Sequence, residues 1–167
     1  MEFRGSQSAA GLRFAIVVSR FNEEVTSGLL AGARQALEVA SVGDDDIDVI
    51  HVPGAFEIPL AAKRAAETGR FDAVVCLGCL IKGETMHFEY IASAASHGII
   101  DAASATGVPM AFGVLTTLTD EQATERAGEG PSNKGWEAAM AAVEMATLLK
   151  QLPAGRPRTA SPRGMSA

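Results

Sequence analysis

Short, wholly apolar runs alternate along this chain with longer stretches in which apolar residues recur every third or fourth position. Phe14-Ala15-Ile16-Val17-Val18 reads as a strand buried on both faces. Glu23 to Ala40 follows, with Leu29, Leu30, Ala33, Leu37 and Ala40 near a period of about 3.6 residues, which predicts a helix. Gly43 and Asp44-Asp45-Asp46 make the turn into a second strand, Ile47 to Val52, which Pro53-Gly54 breaks. A second helix is predicted over Phe56 to Glu67 and a third strand over Ala73 to Leu77. Past a glycine-bearing segment that starts at Gly78, a third helix runs from Phe88 to Ala105. Gly107 and Pro109 punctuate before a fourth strand, Met110 to Leu115, and two helices close the pattern, Asp120 to Ala127 and Ser132 to Leu152.

Continuous apolar strands separated by helices indicate a parallel sheet covered on both faces. Right-handed crossovers then favour a doubly wound arrangement. The predicted fold is α/β and flavodoxin-like, with three layers and a four-stranded parallel sheet flanked by helices. It occupies residues 12–152 as one domain, after a flexible segment 1–11. The tail 153–167 carries Arg156, Arg158 and Arg163 with three prolines and no acids, and reads as disordered and basic.

Composition narrows the partners. A formal net charge of −6 argues against nonspecific binding to nucleic acid, which requires a basic face. No apolar run reaches the roughly 18 residues of a membrane span, and the first ten residues hold no hydrophobic signal core. A cytoplasmic location without membrane association is expected. Cys76 and Cys79 have CxxC spacing, but Cys76 follows Ala73-Val74-Val75 inside a strand rather than opening a helix. With no further ligands at suitable spacing, they read as small apolar fillers and no metal is expected.

In such folds ligands sit beyond the carboxyl ends of the strands, so the loops there carry the candidate chemistry. Ser19-Arg20-Phe21-Asn22 offers Phe21, either a platform for a planar substrate or a hydrophobic staple against the next helix. Pro53 to Pro59 offers Glu57, either a helix-start acid or an acceptor for sugar hydroxyls. The segment Gly78-Cys79-Leu80-Ile81-Lys82-Gly83-Glu84-Thr85-Met86-His87 combines glycines before a helix start with a hydroxyl, a lysine and a histidine. Free N–H groups at that start suit an anion, and a histidine beside it can move protons. His87 alone also reads as a helix-capping residue, and His51 and His97 read as structural. Arg126 and Lys134 add cations downstream, and an arginine can hold a phosphate bidentately. A phospho-receiver domain is excluded, because it needs acids after the first strand and an aspartate after the third. The first strand is followed by neither a P-loop nor GxGxxG.

Taken together, Ser19 to Asn22, Pro53 to Pro59, Leu80 to Thr85 with His87-Phe88, Phe112-Gly113-Val114, Glu125 to Gly128 and Asn133-Lys134-Gly135-Trp136-Glu137-Ala138 resemble the lumazine synthase family over about Leu12 to Leu152. The resemblance implies a cofactor-free condensation of 5-amino-6-(D-ribitylamino)uracil with 3,4-dihydroxy-2-butanone 4-phosphate, the penultimate step of riboflavin biosynthesis. It implies that Phe21, Asn22, Ala55, Phe56, Glu57, Leu80, Ile81, Phe112 and Lys134 contact the pyrimidine and ribityl chain. It implies that Gly83, Glu84, Thr85 and Arg126 hold phosphate, and that His87 transfers protons. Phe112, Arg126 and Lys134 would come from a neighbouring subunit of a homopentamer, and riboflavin synthase is a candidate partner. Many relatives that close pentamers into icosahedral shells carry Gly-Thr-Lys-x-Gly-Asn in the linker; Glu129, Gly130, Pro131 and Ser132 depart from it here. Three alternatives stand beside the enzyme: a non-catalytic flavin- or lumazine-binding relative, a shell-forming scaffold, and a riboflavin synthase on the same fold. The first could lose His87 or Arg126, and both are present.

Overall fold

The computed structural model describes residues 1–155. The expected tail lies largely outside them, as do Arg156, Arg158 and Arg163. Four strands, β1 (Phe14–Ser19), β2 (Ile47–Val52), β3 (Ala73–Ile81) and β4 (Met110–Thr117), alternate with five helices. These are α1 (Glu23–Val39), α2 (Ile58–Glu67), α3 (His87–Thr106), α4 (Asp120–Arg126) and α5 (Lys134–Gln151). All strand pairs are parallel and the order is β2-β1-β3-β4, the three-layer α/β arrangement that the pattern predicts. No helix among the described residues is long and apolar enough to cross a membrane.

Successive strand residues point to opposite sides, and the central strands β1 and β3 are buried on both faces. Phe14, Ile16, Val18, Val75 and Leu77 pack with Leu29, Ala33 and Leu37 of α1 and Ala139 and Val143 of α5. Ala15, Val17, Val74 and Cys76 pack with Ile58 and Ala62 of α2 and Ala95 and Ile99 of α3. The two cysteines therefore serve different cores, Cys76 beside α2 and α3 and Cys79 beside α1 and α5. Both thiols are free and buried. Burial pushes Cys76 up to about 12; burial and then the charge of Asp120 push Cys79 up to about 11. These are packing thiols without thiolate character at neutral pH.

Four boundaries differ from the sequence pattern by two residues or more. β3 does not stop at Leu77 but continues through Gly78 to Ile81, because β4 keeps pairing with it as far as Ile81↔Thr117. Gly78 punctuates nothing: a Cβ there would lie 3.0 Å from Ser19 Oγ and 3.1 Å from Ile58 Cδ1, so it is a glycine of close approach. β4 likewise reaches Thr117 rather than Leu115, which places Thr116 and Thr117 within the strand instead of the loop beyond it. The second helix begins as a 3₁₀ turn, Ala55–Glu57, and becomes α-helical at Ile58. α5 starts at Lys134, not Ser132, because Asn133 caps it, its side chain accepting from the Gly135 and Trp136 N–H groups.

Candidate active site

Most of the residues singled out above meet at the carboxyl end of the sheet. A cavity of about 760 Å³ opens there, lined by Phe21, Pro53 to Glu57, Leu80, Ile81, Gly83, Thr85, His87, Phe88, Tyr90 and Ile91. The turn behind Phe21 is fixed by Asn22, which adopts a left-handed backbone at φ 62° and ψ 49°. Asparagine tolerates that region better than most residues. Asn22 Nδ2 donates to the Cys79 carbonyl at 2.9 Å, and the Phe21 N–H donates to the Pro53 carbonyl at 3.0 Å. The ring so placed is 67% exposed, whereas a staple would be packed against α1. Asn22 itself is not in the cavity lining; it holds the turn.

Glu57 carries both features offered for it. Its Oε2 accepts from the Gly54 N–H at 3.0 Å, closing the 3₁₀ turn at the start of α2. Its Oε1 has no hydrogen-bond partner among the described residues, and the residue lines the cavity. The capping bond orients a carboxylate whose other oxygen is free to accept.

The loop from Lys82 to Met86 leads directly into α3. Its start is pinned by the Lys82 N–H, which donates to the Thr117 carbonyl at 2.9 Å. Across the loop, Lys82 Nζ stands 3.6 Å from Glu89 Oε1 in the first turn of α3. The positive end of this 20-residue helix thus faces the loop that holds Gly83 and Thr85. His87 is the first residue of α3; its N–H meets Thr85 Oγ1 at 3.4 Å. The imidazole lines the cavity and has no hydrogen-bond partner among the described residues. His97, by contrast, contacts the Ser93 carbonyl through Nδ1 at 2.8 Å. Glu84 sits in the loop but not in the lining.

Phe112, Arg126 and Lys134 are elsewhere. They line a second cavity of about 350 Å³ on the outer edge of β4, and no residue lines both. Phe112 is 48% exposed there. Arg126 Nη1 donates to the Gln122 carbonyl at 2.9 Å, which folds the guanidinium back along α4. Lys134 Nζ donates to Glu137 Oε2 at 2.9 Å. The lining residues given no role above include Tyr90 in the first cavity and Glu137 in the second. Each lies three positions after a residue that was singled out, so helical spacing puts it on the same face and could have found it.

Comparison with known proteins adds two findings. The family described as 6,7-dimethyl-8-ribityllumazine synthase matches residues 11–150. The 6,7-dimethyl-8-ribityllumazine synthase of Syntrophus aciditrophicus (strain SB) is 55% identical over 148 residues, covering 89% of this chain and 96% of that one.

Proposed function

The chain belongs to the 6,7-dimethyl-8-ribityllumazine synthase family, and from that premise we propose how its two cavities divide the work of the reaction. The protein is an enzyme of riboflavin biosynthesis, a transferase. Its substrates are 5-amino-6-(D-ribitylamino)uracil and 3,4-dihydroxy-2-butanone 4-phosphate. The ring amine attacks the ketone and a water leaves to give an imine. Phosphate is then eliminated, and the ribitylamino nitrogen closes the second ring with loss of another water.

Phe21 stacks on the pyrimidine, and Ala55, Phe56 and Glu57 hold the ribityl chain, with the free Glu57 oxygen accepting from its hydroxyls. Leu80 and Ile81 meet the ring edge through their backbones. Gly83, Glu84 and Thr85, at the start of α3, hold the phosphate and stabilise negative charge as it leaves. His87 moves the protons that imine formation and ring closure require. Holding both reactants in one cavity supplies much of the acceleration. Asn22 supports this array from behind Phe21.

Arg126 adds a second phosphate contact, while Phe112 and Lys134 complete the pyrimidine pocket. The observation that supports a shared site is that these three residues line a cavity disjoint from the first. A single subunit holds His87 in one cavity and Arg126 in another, which supports the reading that the second set reaches the substrate from a neighbouring copy. On that reading the working unit is a homopentamer, as family resemblance implies. Residues 12–152 form the synthase domain, it works in the cytoplasm, and its lumazine product passes to riboflavin synthase.

A mixing assay tests the reading. Purified protein with both substrates is expected to form lumazine, followed by fluorescence, faster than the uncatalysed control and with matching phosphate release. A folded oligomer that binds lumazine yet gives no acceleration would replace the enzyme with a binding protein.

A further inference from the structure

Asn133 is the one buried side-chain amide among the described residues, at 2% exposure. Its hydrogen bonds run in two directions. Oδ1 accepts from the Gly135 N–H at 2.7 Å and the Trp136 N–H at 3.1 Å, which caps α5. Nδ2 donates to the Gly28 carbonyl of α1 at 3.0 Å and to the Gly128 carbonyl at 2.8 Å. A carboxamide has two donor hydrogens and an oxygen with two lone pairs, so this group is saturated. An N-cap role accounts for the first pair only; a serine or aspartate would do that as well.

The second pair ties a linker to a helix. Gly128 follows Arg126 by two residues and Lys134 follows Asn133 directly, so the amide sits between the two cations of the β4-edge cavity. The intervening Glu129, Pro131 and Ser132 are exposed and Gly130 adopts φ 94°, so they bring little packing of their own. α1 is a firm anchor, with Leu29, Ala33 and Leu37 fully buried. It also makes room for the amide: a Cβ at Gly32 would collide with the Asn133 carboxamide, and one at Gly135 with the Leu29 carbonyl. We propose that Asn133 is a positioning residue that fixes Arg126 relative to Lys134 by clamping the α4–α5 linker to α1. The role rests on the reading of Arg126 as a phosphate contact and Lys134 as a pyrimidine contact.

Steady-state kinetics on the full chain test it. Asn133→Ser keeps the acceptor for the α5 cap but cannot reach the Gly28 and Gly128 carbonyls. Loss of those bonds is expected to raise KM for the butanone phosphate about tenfold, with kcat at saturation within about threefold and KM for the pyrimidine within about twofold. Gly32→Ala pushes on the same amide from α1, the three atoms nearest its methyl all belonging to the Asn133 carboxamide, and is expected to raise the same KM. It carries the test alone should Asn133→Ser fail to assemble. Folded variants with an unchanged butanone-phosphate KM, or with kcat and both KM values altered together, would overturn the positioning role. Arg126→Ala in the same assay separates the two levels. If it leaves that KM unchanged, the phosphate assignment of Arg126 falls. If it raises KM while Asn133→Ser and Gly32→Ala do not, only the clamp falls.

Discussion

His87 and Arg126 lie in different cavities of one chain, and their proposed roles predict different kinetic signatures. His87→Ala removes a proton carrier but no phosphate contact, so kcat is expected to fall by about 10²–10⁴-fold without reaching zero, because proximity effects persist. Arg126→Ala is expected to act chiefly on KM for the butanone phosphate. Equal loss of all activity in both variants, with folding intact, would contradict the division. The cysteines make a separate prediction. Both thiols are buried and raised, so neither should react with a thiol reagent such as DTNB until the protein is denatured. Unfolded thiols ionise from about pH 8.5. Their contribution to stability is complete below that and is lost as the pH rises toward about 11 for Cys79 and about 12 for Cys76. Cys76→Ala should flatten the alkaline fall in denaturation midpoint; an unchanged slope would assign the fall to other groups.

At the scale of elements, Gly78 separates what the chain reveals locally from what it does not. Its Cβ position is bounded by Ser19 Oγ at 3.0 Å, Ile58 Cδ1 at 3.1 Å and Val114 Cγ1 at 3.4 Å. Gly78→Ala should be tolerated with small shifts. Gly78→Val should overpack the junction of β1, β3 and α2 and destabilise by about 1–3 kcal/mol, read as a lower denaturant midpoint. A neutral valine would mean that the junction has slack. The strand–helix alternation was legible because β1 and β3 are apolar on both faces and α1 keeps its period. The extension of β3 to Ile81 was not, since a glycine looks like a stop until the partner strand that continues its ladder is known. The tie from Asn133 Nδ2 to the Gly28 carbonyl was not legible for a related reason: Gly28 is 105 residues away in sequence, and no local pattern announces it. The α5 cap itself is local, Oδ1 accepting from the Gly135 and Trp136 N–H groups. Around the site, loop residues with distinctive chemistry stood out: an aromatic in a polar loop, a carboxylate before a helix, a histidine beside glycines. Tyr90 and Glu137 look ordinary in sequence and take their places only through helical facing.

For the whole molecule, the sheet order places β2 and β4 at the edges and the first cavity above the central strands. The fold thus presents one set of chemical groups at its rim and another on its flank. Closed rings bring unlike patches of identical subunits together at every interface, which is the arrangement that the proposed shared site calls for. If the proposed ring is the working unit, dilution should lower specific activity in step with the change in sedimentation; activity that persists in a sedimenting monomer would overturn the shared site.

The disjoint linings also have a genetic consequence. A chain lacking His87 still carries an intact Arg126, and a chain lacking Arg126 still carries an intact His87. Co-expressed in one cell, two such defective alleles would assemble at random. At an even ratio, about a quarter of the interfaces would pair the good half of one with the good half of the other. Heteroallelic complementation of a riboflavin auxotroph, where neither allele alone restores full growth, is the expected phenotype.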